Sequence, residues 1–203
     1  MNKFGNKFGN KFGIVAIGLG LIAAPVAAGN RLIVPGQPVA VAKSMLTVTP
    51  AVEWNKLGAR PGRNSETWTF DGDALNDLTF YGGIEPERTL FREVSKRNKP
   101  LPRVKATMLV TDIPTLVENS YRIALDTPLF TVEGMEPMAF AGKPGIRFTY
   151  SFTRPNEDLP RKGEGRGAMI DGKLYLITFE APRLHYFDAG VASFRQVADS
   201  AKL

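Results

Sequence analysis

The segment Arg166-Gly-Ala-Met-Ile-Asp-Gly-Lys-Leu-Tyr-Leu-Ile-Thr-Phe-Glu180 carries the fold in its pattern. Asp171-Gly172 is a hairpin signal, because a tight two-residue turn needs left-handed backbone that these residues accept at low cost. After the turn, Leu174 and Leu176 point to one side of a strand while Tyr175, Ile177 and Phe179 point to the other. Both faces are apolar, so this strand is predicted to lie in the middle of a sheet covered on both sides.

Working backwards, Ile146, Phe148, Tyr150 and Phe152 alternate with Arg147, Thr149 and Ser151, the period-2 pattern of a strand with one buried face. Between them lies Arg161-Lys-Gly-Glu-Gly-Arg-Gly167, read as a flexible entry to the hairpin. It lacks the Gly-Lys-Ser/Thr ending of a phosphate loop and leads into a strand instead of a helix. Pro182 ends the last strand. A closing helix is predicted over residues 188–199, with Val191, Phe194, Val197 and Ala198 on one face. A second helix is predicted to start at Asp112 as N-cap, with Pro114 in its first turn, where a missing N–H costs nothing. Ile113, Leu116, Val117, Tyr121, Ala124 and Leu125 form its apolar face.

Towards the N-terminus, strands are expected at residues 44–50, 66–70 and 78–81, the last stopped by Gly82-Gly83, with an added edge strand at 39–42 after a loose leader. Residues 89–94 read as extended and 96–105 as a loop. Strands, a helix, three or four antiparallel strands and a closing helix make an α+β domain with an antiparallel sheet flanked by helices.

The first 28 residues have a different character. Asn-Lys-Phe-Gly occurs three times in the first thirteen, placing Lys3, Lys7 and Lys11 ahead of the apolar run from Ile14 to Ala28, which closes on Val26-Ala27-Ala28. A positive start, a short apolar core and small residues at the end are the parts of a cleavable secretory signal, with the cut expected between Ala28 and Gly29. Fifteen residues interrupted by Gly18, Gly20 and Pro25 fall short of the roughly 20 that a spanning helix needs. The expected organisation is a signal at 1–28, a leader at 29–43 and one globular domain at 44–203, with no transmembrane span in the mature chain. Three of the 26 lysines and arginines leave with the signal while all 20 acids stay, so the net charge falls from +6 to +3. That balance gives little support for nucleic acid as a partner.

Composition also removes chemistries. With no Cys, thiol catalysis, Cys-ligated zinc and lipid attachment through an N-terminal Cys are excluded. With a single His, His185, one chain cannot build a multi-His metal centre. No cofactor fingerprint is present, and no cofactor or metal is expected.

The order of elements resembles the PsbP/LpqN-like α-β-α sandwich superfamily. The likeness runs over residues 44–200 and is carried by the strand leading to Pro50 and Trp54, the middle helix, Gly145-Ile-Arg-Phe-Thr-Tyr150, Ile170-Asp-Gly-Lys-Leu-Tyr-Leu-Ile177 and the end at Phe194 to Ser200. The long loop at 56–64 and the missing lipoprotein Cys are departures. The resemblance implies a non-catalytic accessory or binding protein, as in photosystem extrinsic subunits and mycobacterial envelope lipoproteins, and brings no catalytic residues with it.

Four groups of residues are candidates for a site. Trp54 and Trp68 flank the loop bearing Lys56, Arg60 and Arg63, and aromatics beside Arg can make a ligand shelf by stacking and bidentate anion contacts; buried strand-end Trp residues are the plainer reading. Lys96, Arg97, Lys99, Arg103 and Lys105 form a basic run with no acid inside it, either a solvated loop or a contact for an anionic envelope component such as phospholipid or acidic polysaccharide. Asp71, Asp73 and Asp77 surround Gly72, but Leu75 breaks the spacing of a calcium loop. His185, with Glu180 or Asp188 as a carboxylate partner, would serve an envelope-acting hydrolase, although no Gly-x-Ser-x-Gly elbow accompanies it.

The leading expectation is an exported, non-enzymatic periplasmic or envelope accessory protein that binds an envelope protein or anionic component through loops at one sheet end. N-terminal sequencing of exported material should read from Gly29; a mature chain starting at Met1 would refute the signal.

Overall fold

The computed structural model describes residues 29–155 and 157–203; the segment read as a signal, 1–28, lies outside them. The described chain runs β1 (Arg31–Ile33), β2 (Val39–Ala40), β3 (Thr47–Val48), β4 (Trp54–Lys56), β5 (Ser65–Thr69), β6 (Asp77–Ile84), α1 (Ile113–Ala124), β7 (Phe130–Phe140), β8 (Lys143–Phe152), β9 (Arg161–Ile170), β10 (Lys173–Pro182) and α2 (Tyr186–Asp199). Eight of the strands form one antiparallel sheet in the order β1-β4-β5-β6-β10-β9-β8-β7, and β2 pairs with β3 beside it. The architecture is the α+β class read from the sequence, with α1 over one face and α2 over the other.

The two-faced strand is β10, placed between β6 and β9. Its Tyr175, Ile177 and Phe179 join Leu78, Phe80, Trp54, Trp68 and, from α2, Phe187, Phe194 and Val197 in one core. Leu174 and Leu176 face the other core, made with Tyr81, Phe148, Tyr150, Phe152 and the α1 residues Ile113, Leu116, Val117 and Tyr121. Alternation along the strand therefore feeds both layers at once.

Several local expectations are corrected. The glycine-rich stretch before the hairpin is not a flexible entry but strand β9 itself, paired along its length with β8 and β10. Gly163 and Gly165 lie beneath the rings of Tyr150 and Phe148, and a Cβ at either position would fall inside the ring. The glycines are there for aromatic contact with the backbone, one of the uses of a strand glycine. Strand β7 was absent from the sequence reading. It is the sheet edge, mostly exposed, with Pro137 and a bulge at Val132/Gly134, so it shows no buried alternation. Strand β6 continues through Gly82-Gly83 to Ile84, whereas residues 44–50 keep only the two-residue β3.

The domain also begins earlier than residue 44. Strand β1 pairs with β4 at the other sheet edge, and Ile33, Val41 and Ala42 are buried in the α2-side core, so the supposed leader belongs to the globular unit. In α1, Ser120 is buried and Ala124 exposed, and the Asp112 carboxylate accepts from the Leu109 N–H at 2.9 Å instead of capping the helix. Among the described residues no helix is long and apolar enough to cross a membrane.

On the α2 side, β9 presents Glu164 and Arg166 between its glycines. The fully buried Glu164 carboxylate accepts from Arg195 of α2 at 2.7 and 3.0 Å, from Arg147 of β8 at 3.0 Å and from Arg166 at 3.0 Å. Burial works to raise its pKa, but the hydrogen bonds from Arg147, Arg195 and Arg166 outweigh it and hold the group at about 2. The folded value lies below the unfolded one, so the stability it brings is complete above pH 4.5 and is lost as pH falls through about 2. Glu164→Gln should cost about 3–5 kcal/mol, because it removes the buried charge at the centre of the network, leaving Arg195 without a counter-charge and Arg147 and Arg166 with only their outer partners Glu136 and Asp199. Denaturant unfolding at pH 7 measures this, and an unchanged Cm would show that the network contributes nothing.

Candidate functional site

Two loops meet at one end of the sheet: residues 57–64, between β4 and β5, and residues 85–109, which follow β6 without regular secondary structure up to a short 3-10 turn at Val110–Asp112. They are joined backbone to backbone, the Arg92 N–H donating to the Pro61 carbonyl at 2.8 Å. Gly62 is buried at the junction, where a Cβ would collide with the Leu90 carbonyl, and its N–H donates to Ser65 Oγ at 2.6 Å. Only glycine lets the loops approach this closely.

The junction encloses a cavity of about 680 Å³. Seven basic side chains line it, Lys43, Arg60, Arg63, Arg88, Arg92, Lys96 and Arg103, against three acids, Glu85, Glu87 and Glu93. Arg103 is already engaged: it donates to the Glu87 carbonyl at 2.6 Å and pairs with Glu93 at 3.3 Å, which holds the wall in shape. Arg63, Arg88, Arg92 and Lys96 are exposed at the cavity. An excess of cations in a concave site concentrates positive potential and favours an anion.

Beside it, over the α1 face of the sheet, lies a second cavity of about 310 Å³. Leu57, Ala59, Pro61, Phe91 and Leu125 form its walls, and Arg60 and Phe91 belong to both cavities. Its floor includes Asp77 on β6 and Glu180 on β10, direct cross-strand neighbours. Arg154 donates to both carboxylates, at 2.7 and 3.0 Å, and the Tyr121 hydroxyl donates to Glu180 at 2.9 Å. Burial, then the adjacent Glu180 charge, pushes the Asp77 pKa up to about 7 despite the opposing pull of Arg154.

The candidate residues are thus sorted by position. Arg60 and Arg63 of the first loop and Lys96 and Arg103 of the basic run converge on one cavity, although 33 or more positions separate the two groups; Arg97, Lys99 and Lys105 stand outside it. Trp54 and Trp68 form no shelf with those arginines. They are buried in the α2-side core, Trp54 stacked on Phe70 with centroids 3.5 Å apart and Trp68 donating its indole N–H to Glu66 at 2.8 Å. Their side of each strand is set by register, which the loop sequence does not reveal.

His185 precedes α2 with a left-handed φ of +68°, is exposed and lines neither cavity. Its carbonyl accepts the Ala189 N–H, but its ring caps nothing and hydrogen-bonds no carboxylate. Glu180 faces Arg154 and Tyr121, not His185, so the expected acid–base pair is not assembled. Asp71 and Asp73 lie in a turn, where Asp71 accepts from Asn76 at 2.8 Å, and Asp77 has joined Glu180. Among the described residues no group of three His, Asp or Glu side chains is placed to hold a metal ion. The Asp77–Glu180–Arg154–Tyr121 cluster is invisible in the sequence because its members lie in β6, β10, α1 and the loop after β8, and only β6–β10 pairing brings Asp77 beside Glu180.

The pH behaviour of Asp77 follows from its raised pKa. Between 3.8 and about 7 the folded chain binds a proton that the unfolded chain has released, so this group makes folding less favourable as pH rises through that window. Asp77→Asn carries no such dependence and leaves Arg154 its Glu180 partner. Thermal melts should therefore show the variant's Tm moving upward relative to the parent's from pH 5 to pH 8; parallel profiles would place the Asp77 pKa near its ordinary value.

No family model and no curated protein sequence matches this chain. Among solved structures it is similar to the solution structure of cyanobacterial PsbP (CyanoP) from Synechocystis sp. PCC 6803, with 16% identity, 91% of this chain and 98% of that chain covered, and a TM-score of 0.54. It also matches the crystal structure of LpqN, involved in cell envelope biogenesis of Mycobacterium tuberculosis, at 10% identity over 85% and 89% of the two chains with a TM-score of 0.30. At such identities the likeness is one of fold. The chain has a PsbP-like fold, the architecture that the order of its elements resembles.

Proposed function

We propose that this chain is an exported, non-enzymatic accessory protein that binds an anionic envelope component in the basic cavity between residues 57–64 and 85–105. The carrying observation is the convergence of seven cations and three acids on one concavity, six of the cations from two separate loops and the seventh, Lys43, from the turn before β3. The arrangement is held in place, because the Arg92–Pro61 backbone hydrogen bond joins one loop to the other and Gly62 lets them approach. The signal-like residues 1–28 support export. A binding role also suits the position of the lone His, which stands away from both cavities.

Two sets of substitutions separate this reading from nonspecific basicity. Changing Arg63, Arg88, Arg92 and Lys96 to Ser together should weaken binding of inorganic phosphate and of phosphatidylglycerol vesicles by roughly ten-fold or more, equivalent to about 1.4 kcal/mol. Changing Arg97, Lys99 and Lys105 to Ser, outside the cavity, should leave both affinities within two-fold, roughly the scatter expected of rim charges. Binding that survives the first set, or that falls equally with the second, rules out the cavity as the site.

A further inference from the structure

The two cavities are not independent. Arg60 and Phe91 line both, so each marks a passage from a polar, cationic chamber to a smaller one whose exposed surface is mostly apolar, with Thr67 and Thr79 among its lining residues. Phe91 is fixed there edge-on to Tyr81 and Tyr121, with ring centroids 6.3 and 5.4 Å away. Arg60 brings a guanidinium to the same boundary, and its Nη1 is buried with no hydrogen-bond partner among the described residues. An unpartnered guanidinium nitrogen inside a protein is costly unless a ligand completes it.

Neither chamber is explained by a ligand suited to the other. A compact anion would satisfy the cations and leave the apolar walls bare, and an apolar molecule would leave the cations unanswered. The floor of the small chamber does not repel a hydrocarbon by unpaired charge, because Arg154 bridges both carboxylates and Tyr121 donates to one of them. Its volume of about 310 Å³ lies at the lower end of the roughly 300–1,000 Å³ of small-molecule pockets, room for one short chain and not for two.

We infer that the ligand is a single-chain anionic amphiphile, bound one molecule at a time, with its head group among the cavity cations, Arg60 at its neck and its hydrocarbon chain past Phe91 between Leu57, Ala59, Pro61 and Leu125. This rests on the anion-binding reading above and names the ligand class for the same site. The cations supply charge recognition, and the small chamber measures chain length.

The test is calorimetric binding of inorganic phosphate, butyl, hexyl and octyl phosphate, each as monomer, to the purified protein and to Ala59→Trp, whose indole would occupy the chamber from the exposed loop. Affinity for the parent should rise up to about four-fold per added methylene, the factor for full burial of a CH₂, and in Ala59→Trp octyl phosphate should bind no tighter than butyl phosphate. If phosphate and butyl phosphate bind but longer chains bind no tighter, the amphiphile inference is wrong and the anion site stands. If none of the four binds, the anion site falls and the inference with it. If the chain-length gain persists undiminished in Ala59→Trp, the chain lies elsewhere and the inference is overturned.

Discussion

Strand β9 has no side chains on the face towards α1 at Gly163, Gly165 and Gly167, and the three-layer structure depends on that bare stretch. The rings of Tyr150 and Phe148 lie over the backbone there, which brings the aromatic row of β8 inwards to meet α1. The intervening Glu164 and Arg166 emerge on the opposite face, where Glu164 gathers arginines from β8, β9 and α2. A single strand thus makes an apolar contact on one side and an ionic one on the other. Replacing its glycines with larger residues would displace the first without touching the second.

The two buried acidic centres show how partner number decides the state of a carboxyl group. Glu164 meets three guanidiniums and is held strongly ionised. Asp77 and Glu180 share one close guanidinium, and Asp77 retains its proton to near neutrality. The first arrangement ties α2 to the sheet. The second lies on the floor of a cavity, and perturbed carboxyls in such places often mark function. Here the pair lines the smaller of two adjoining cavities, with Arg154 bridging its two carboxyls.

That opening exists because irregular chain is held in place by specific contacts. The loops at 57–64 and 85–109 contribute no strand or α-helix, yet Gly62, the Arg92–Pro61 backbone hydrogen bond and the Arg103 contacts fix their separation. Binding sites commonly sit on loops held by a rigid scaffold, since loops vary without disturbing the core. The large sheet supplies that scaffold, and α1 closes its flank through Tyr121 and Leu125.

Much of the architecture was legible in the residues. Alternation in β8 and on both faces of β10, the Asp171-Gly172 turn and the helical spacing of α1 and α2 all act over a few neighbouring residues, and local geometry alone translates them into structure. Strand β7 was not legible, because an edge strand buries too little to alternate, and the glycine-rich first half of β9 reads as a flexible entry because its glycines answer to aromatic rings on another strand. The basic residues were visible as two separate runs, but which of them share a cavity depends on where the sheet brings the two loops together. Likewise Asp77 and Glu180 become a pair only through β6–β10 register. By itself the sequence determined the class of fold, the signal-like start and the chemistry excluded by one His and no Cys. Tertiary structure decided which distant charges meet, because that depends on strand pairing and loop contact, and periodicity records only whether a side chain faces inwards, never what it will find there.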